Sequence, residues 1–332
     1  MGRREQRGVD GMNMKALTLP SSLVETFSRL TMRFNIFKGM KLGRATVISI
    51  PTFWLALFFF IPFVVVFKIS LAESAIAIPP YTSLIEWDPE EWYLQIQMTF
   101  SNYFYIFDDA LYVEAYWSSI KIAAVSTFIT LLVAFPMAYL IARANPERRT
   151  LLLALVVLPF WTSFLLRVYA WMGLLKKNGV INEILMGLGI TDQPLQMIQT
   201  DFAVYLGIVY TYLPFMILPL YTALEKMDLT LLEAAEDLGA KPYQSFFLIT
   251  LPLAIPGIIA GCLLVFIPAV GEFVIPALLG ASDTLMIGRV LWDEFFLNRN
   301  WPMASAVAIV MLVILVLPIM LVRNGQDSKE AK

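Results

Sequence analysis

The sequence contains no histidine and only one cysteine, Cys262. The first absence removes histidine acid–base chemistry and the commonest ligand of transition metals; the second rules out an intrachain disulfide. Charge is scarce as well, with 15% charged residues against 59% hydrophobic ones in 332 positions. Such a chain has too little polar surface to face water all round, so lipid must cover much of it. Neither a GxxxxGK[ST] phosphate loop nor a GxGxxG turn between a strand and a helix is present. Binding of ATP or of a dinucleotide by these motifs is excluded, and any ATP-derived energy has to arrive through a partner.

What the sequence does have is long apolar runs. A bilayer-spanning helix needs about 20 mainly apolar residues, and six such stretches occur, near 47–67, 117–141, 150–172, 202–224, 253–275 and 303–322. Each contains a proline, among them Pro62, Pro136, Pro159, Pro214, Pro268 and Pro318. Prolines inside spans leave carbonyls that neighbouring helices must satisfy, which predicts an all-α, kinked and closely packed six-helix bundle.

Basic residues set the orientation. Nine precede the first span (Arg3, Arg4, Arg7, Lys15, Arg29, Arg33, Lys38, Lys41 and Arg44); Arg143, Arg148 and Arg149 follow the second, and Arg323, Lys329 and Lys332 lie in the tail. These segments are expected in the cytoplasm, with both termini inside. Residues 70–116 carry eight carboxylates and no Lys or Arg, so that connection is expected outside. The expected organisation is a basic segment 1–45, a transmembrane domain 46–322 with an inner loop 225–252, and a tail 323–332. A stretch of 45 residues before the first apolar run fits an uncleaved anchor better than a cleaved signal peptide. Leu23, Phe27, Leu30, Phe34 and Phe37 recur at helical spacing among basic residues, which reads either as an interfacial amphipathic helix or as a basic tail.

The inner loop carries the selective motif. Glu233-Ala234-Ala235 is followed after three residues by Gly239, and after nine more by Ile249, one residue, Leu251 and Pro252. A short helix over 228–238 is predicted, capped by Asp228 or Thr230 and stopped by Gly239 in the left-handed conformation, with Pro242 preventing continuation. This pattern resembles the EAA loop of bacterial ABC importer permeases. The resemblance implies that Glu233, Ala234, Ala235, Gly239 and Pro252 form a coupling surface seated in a groove of a cytoplasmic ATPase, with Glu233 meeting a basic residue there.

A wider resemblance runs from about Leu42 to Val322. It is carried by LAESAIAIPPYTSLIEW at 71–87, FWTSFLLRVYAWMGLLKKNGVIN at 160–182, DLGAKP at 237–242 and IPAVGEFVIPALLG at 267–280. Here the chain resembles permease subunits of polyamine ABC importers, most closely the putrescine permeases. The resemblance implies a type I importer fold in the bacterial inner membrane and import from periplasm to cytoplasm. It also implies four partners: a second related permease, two ATPase subunits that bind the ATP, and a periplasmic polyamine-binding protein. No cofactor, metal site, nucleic-acid contact or enzymatic activity is expected of this chain.

A diamine crossing a low-dielectric region needs carboxylates or aromatic faces along its way. Glu272 is the leading candidate, read either as an intramembrane carboxylate or as a hydrated group beyond a shorter fifth span. Trp161, Tyr210 and Tyr212 are candidates for cation–π walls or for plain packing. Tyr169 and Trp171 read as outer-interface anchors, and Arg167 and Lys121 as cations snorkelling from span ends. The acidic outer loop either concentrates cations or docks the binding protein. Gly257 and Gly261 form a small-xxx-small pattern serving either a partner helix or the chain's own packing. The inner-loop motif is shared by permeases for thiamine, iron or sulfate, so it does not name the substrate. A secondary transporter is a further alternative, but neither coupling-ion groups nor an inverted repeat stands out.

Overall fold

The computed structural model describes residues 42–88 and 93–330; the expectations for residues 1–41 lie outside them. Contacts divide the chain into two units, Met1–Val64 and Val65–Lys332. In the first, helix Leu42–Leu55 passes into a π turn, Ala56–Phe60. The second opens within the helical stretch Ile61–Ser70 that completes the first span, here α1 (residues 42–70).

In the second unit, strands β1 (Ile85–Asp88) and β2 (Tyr93–Ile96) pair antiparallel, with Ile85 opposite Ile96. This short hairpin, with an isolated antiparallel bridge between Ser74 and Tyr81 in the same acidic connection, is the departure from an all-α chain among the described residues. The helices that follow are α2 (Ser101–Asp108), α3 (Ala110–Arg143), α4 (Pro146–Val157), α5 (Phe164–Leu175), α6 (Val180–Gly187) and α7 (Asp201–Glu225). Beyond them come α8 (Thr230–Asp237), α9 (Pro242–Val270), α10 (Val274–Leu279), α11 (Ile287–Trp292) and α12 (Trp301–Glu330).

Of the six expected spans, four are single helices long and apolar enough to cross a membrane, the third is a bent pair and the sixth is a shorter apolar helix, Trp301–Val316; two boundaries also move. The third span is not one rod over 150–172. A 3-10 turn, Leu158–Trp161, ends α4, and the segments on either side, Pro146–Trp161 and Phe164–Gly187, meet at 90°. Pro159 lies in that turn, and Thr162 and Ser163 have extended or non-helical backbone, so the helix cannot run on. The fifth span begins earlier, at Pro242, and stops at Val270 rather than at 275.

Proline also explains two widened turns. The amide of Ile61 reaches back to the Ala56 carbonyl, and that of Leu251 to the Phe246 carbonyl, each spanning five residues. Pro62 and Pro252 follow immediately. Each lacks an N–H and crowds the carbonyl four residues before it, so the preceding turn opens into π geometry.

The core of the second unit is made by α3, α7 and α9, which pack pairwise on one another. The buried face of α3 is small and polar for a core: Ala115, Ser119, Ala123, Ser126, Thr130, Ala134 and Ala138 recur at three- and four-residue steps. In lipid, small residues allow close backbone approach where large ones gain nothing over acyl chains. The Gly257 and Gly261 pair serves the chain's own packing. A Cβ on Gly257 would stand 2.6 Å from the Ala223 Cβ and 2.8 Å from the Pro219 carbonyl, and one on Gly261 2.6 Å from the Met216 Sδ, all on α7. Further bonds tie α3 to α11 and α12: the Ile287 amide donates to Ser119 Oγ at 2.7 Å, and the Tyr116 hydroxyl to the Val307 carbonyl at 2.7 Å.

Candidate functional site

Two regions carry the sequence-derived residues. The first is the connection between α7 and α9. The Thr230 amide donates to Asp228 Oδ1 at 3.0 Å, so of the two proposed caps it is Asp228 that holds the first turn of α8. At the other end the Gly239 amide bonds the Glu236 carbonyl at 2.8 Å and the Ala240 amide the Ala235 carbonyl at 2.9 Å. This pair of crossed bonds, with Gly239 at φ +79°, is a Schellman stop. Pro242 then starts α9, and Gln244 Oε1 accepts from the Lys241 amide at 2.8 Å, which closes the turn between the two helices.

Leu231, Ala234 and Leu238 are exposed at three- and four-residue spacing, so α8 presents an apolar stripe outward, and Leu238 at its tip is 89% exposed. Glu233, Glu236 and Asp237 are exposed beside it, while Ala235 is half-buried. Glu233, Ala234, Ala235 and Gly239 therefore belong to one helix and its stop. Pro252 stands apart from them, exposed on α9 beyond the π turn.

The second region lies at the far end of α9. Val270 is its last residue, and Glu272, two positions beyond, is buried at 8% exposure. The helix thus ends earlier than 275, and the carboxylate that follows it is enclosed by protein. Its Oε2 accepts from the Tyr212 hydroxyl at 2.6 Å, and its Oε1 from the amides of Val274 at 3.1 Å and Ile275 at 3.4 Å. The carboxylate thereby satisfies amides that open α10 and fastens that helix to α7. Space for this turn depends on Gly288, where a Cβ would fall 2.3 Å from the Gly271 carbonyl. Phe273 stacks on Trp292 at 4.5 Å and 10°, fixing α11 against the same turn.

Of the four pathway candidates, only Glu272 and Tyr212 meet. Tyr210 points elsewhere, packing edge-on against Trp171 at 5.4 Å and lining an apolar cavity of about 490 Å³ with Leu140, Leu152, Val156, Pro159 and Leu213. Trp161 is 84% exposed at the break in the third span. Two further side chains near the break are placed by ring contacts. Trp171 turns inward onto Tyr210, and the Arg167 guanidinium lies over Phe160 at 5.4 Å and Phe164 at 6.0 Å instead of reaching along its helix. Phe160 meets Phe215, which in turn neighbours Tyr212, so an aromatic row leads from Arg167 towards the Glu272 pair.

Sequence reasoning missed Asn182 and the partner of Arg149. Asn182 is fully buried; it accepts from the Leu195 amide and donates to the Leu195 and Lys176 carbonyls, holding the connection after the third span. Its position on the strongly amphipathic α6 was the available signal. Arg149 Nη1 donates to Glu225 Oε1 at 2.7 Å, across 76 residues of sequence. No local pattern announces that pairing. Among the described residues no group of potential metal ligands gathers.

Comparison with known proteins agrees with this architecture. The family model of the binding-protein-dependent transport system inner membrane component matches residues 110–326. The chain is 47% identical to the spermidine/putrescine transport system permease protein PotB of Haemophilus influenzae, over 66% of this chain and 77% of that one. It is 38% identical to the PotB protein of Escherichia coli, over 79% and 90% of the respective chains. In fold it is similar to a bacterial alginate ABC transporter solved with an alginate pentasaccharide-bound periplasmic protein. That likeness has a TM-score of 0.63 at 15% identity and covers 86% of this chain and 95% of the other. The chain therefore belongs to the family of binding-protein-dependent transport system inner membrane components, multi-pass permease subunits of ABC importers with the type I fold, which move solutes and are not enzymes.

Proposed function

We propose that this chain is the permease subunit of a polyamine importer, carrying putrescine from the periplasm into the cytoplasm with both of its own termini inside. It works beside a second, related permease, two cytoplasmic ATPase subunits that bind the ATP, and a periplasmic polyamine-binding protein. The observation that carries the importer mechanism is the free surface of α8. A capped, glycine-stopped helix bearing an outward apolar stripe is an unusual thing to leave uncovered in water, and it fits a groove on a partner. Glu233, Ala234, Ala235 and Gly239 form the docking knob, and Pro252 shapes the helix through which its displacement reaches the bundle.

The polyamine assignment is supported by two relatives whose names specify spermidine and putrescine. The buried Glu272 carboxylate agrees with it in chemistry. Among the described residues it has no cationic partner; its bonds come from a phenol and two amides, so a passing ammonium would find carboxylate oxygens with no competing cation. The putrescine assignment rests on the resemblance of residues 71–87, 160–182, 237–242 and 267–280 to putrescine permeases. Uptake of labelled putrescine and spermidine in cells lacking this subunit tests it. Loss of putrescine uptake with restoration by the plasmid-borne chain is expected; unimpaired uptake of both amines overturns it.

A further inference from the structure

Arg149 lies in the first turn of α4, among the basic residues that orient the chain, and its guanidinium does more than carry charge. Nη1 donates to Glu225 Oε1 at 2.7 Å, while Nη2 donates to the Ala142 carbonyl at 3.1 Å and approaches the Ala144 carbonyl at 3.4 Å. Ala142 belongs to the last turn of α3 and Ala144 is the residue that caps it. Carbonyls at a helix C-terminus have no acceptor role within the helix and need an outside donor. Glu225 is the final residue of α7, separated from α8 by the four residues 226–229. One side chain therefore joins the inner ends of the second, third and fourth spans at the point where the chain leaves for α8. It forms the one ion pair found among the described residues, with its two side chains 27% and 40% exposed.

An exposed ion pair contributes little to stability, about 0–1 kcal/mol, so stability alone is a poor reason for it. Its geometry has another use. The guanidinium is a rigid fork whose nitrogens are directed to different acceptors at once, whereas a lysine ammonium at the end of a flexible stem holds no fixed angle between its bonds. We propose that Arg149 is a positioning residue of the transport cycle: it clamps α3 and α4 to the end of α7, so that a displacement of α8 is delivered to three spans together instead of bending the 226–229 connector. The proposal rests on the reading of α8 as the ATPase-docking element, and it assigns a specific residue to the step after docking.

The test uses the complete importer reconstituted in proteoliposomes, measuring labelled putrescine taken up per ATP hydrolysed for wild type, R149A, R149K and E225Q, with G239V as the reference for lost docking. A loosened clamp lets hydrolysis by the partner subunits continue while the spans respond poorly. R149A is expected to lower uptake per ATP about tenfold, R149K to remain well below wild type despite its charge, and E225Q to lower the ratio severalfold. If Arg149 served stability alone, yield and both activities would fall together at an unchanged ratio, and that outcome overturns the proposal. Should R149A fail to assemble, E225Q decides the matter, since it leaves the α3 carbonyls bonded: a wild-type ratio in E225Q refutes the clamp. The underlying reading fails separately and visibly, for in that case G239V too keeps ATPase association and wild-type uptake.

Discussion

Gly239 makes the sharpest prediction, because the structure separates the two reasons a glycine can be required. A Cβ built on it meets nothing within 4 Å, so space is not at issue; its φ of +79° is. A left-handed backbone costs an L-residue about 1–2 kcal/mol, less for Asn, whose short polar side chain tolerates this region, and more for a β-branched residue. α8 is eight residues long and solvated on most of its surface, too short to be stable without its ends held. A penalty of about 1–2 kcal/mol shifts the population of the stopped conformation roughly 5- to 30-fold. G239N should therefore retain most ATP-dependent uptake, G239A should lose a large share, and G239V should lose nearly all, with co-purification of the ATPase following the same order. Membrane insertion and the thermal stability of the bundle should be unaffected in all three. If Asn proved as damaging as Val, or if Ala behaved as wild type, the requirement would not be the backbone angle and the account of the stop would be wrong.

Gly257 is the contrasting case: its φ is ordinary, but an added methyl meets the Pro219 carbonyl at 2.8 Å and the Ala223 Cβ at 2.6 Å. G257A should destabilise the detergent-solubilised protein by about 1–3 kcal/mol through overpacking, seen as a lower apparent Tm, and A223G in the same chain should recover part of the loss. Y212F removes the 2.6 Å bond to the buried Glu272 carboxylate, at an expected cost of about 1–3 kcal/mol, whereas E272Q keeps its oxygen on the Val274 and Ile275 amides and turns its NH2 to donate to the tyrosine hydroxyl, so the Tm should be nearly unchanged. The two are separated by transport, since E272Q should weaken diamine uptake with normal insertion; unchanged uptake removes Glu272 from the substrate's route.

The apolar helices were legible because apolar runs of span length are a strong signal, and the stop at Gly239 because a motif of fixed spacing surrounds it. Both are local properties of the sequence. The break in the third span was harder to see: 150–172 is mostly apolar, and one proline is tolerated in many spans. Only the combination of Pro159 with the polar Thr162 and Ser163 ends the helix, and hydropathy averages that away. Glu272 shows a different limit. Its exit from the helix was readable at Gly271, but the hydroxyl that keeps it buried comes from Tyr212, 60 residues earlier. The same holds for Arg149 and Glu225, and for the α7 surface that receives Gly257 and Gly261: pairings across spans are set by how helices pack, which no single stretch of sequence records.

The right-angled turn at residues 162–163 has a bearing on solvent. The helical stretch leading up to it has 12 residues of α-helix and four of 3-10 helix, a rise of about 26 Å at 1.5 and 2.0 Å per residue, short of the roughly 30 Å of hydrocarbon. If that stretch starts at the inner boundary, the backbone bends while still at acyl-chain depth, where amides and carbonyls bare to lipid are not sustainable. The side of the subunit bearing Trp161, Thr162 and Ser163 is then hydrated or sealed by another protein, and annular lipid belongs on other flanks.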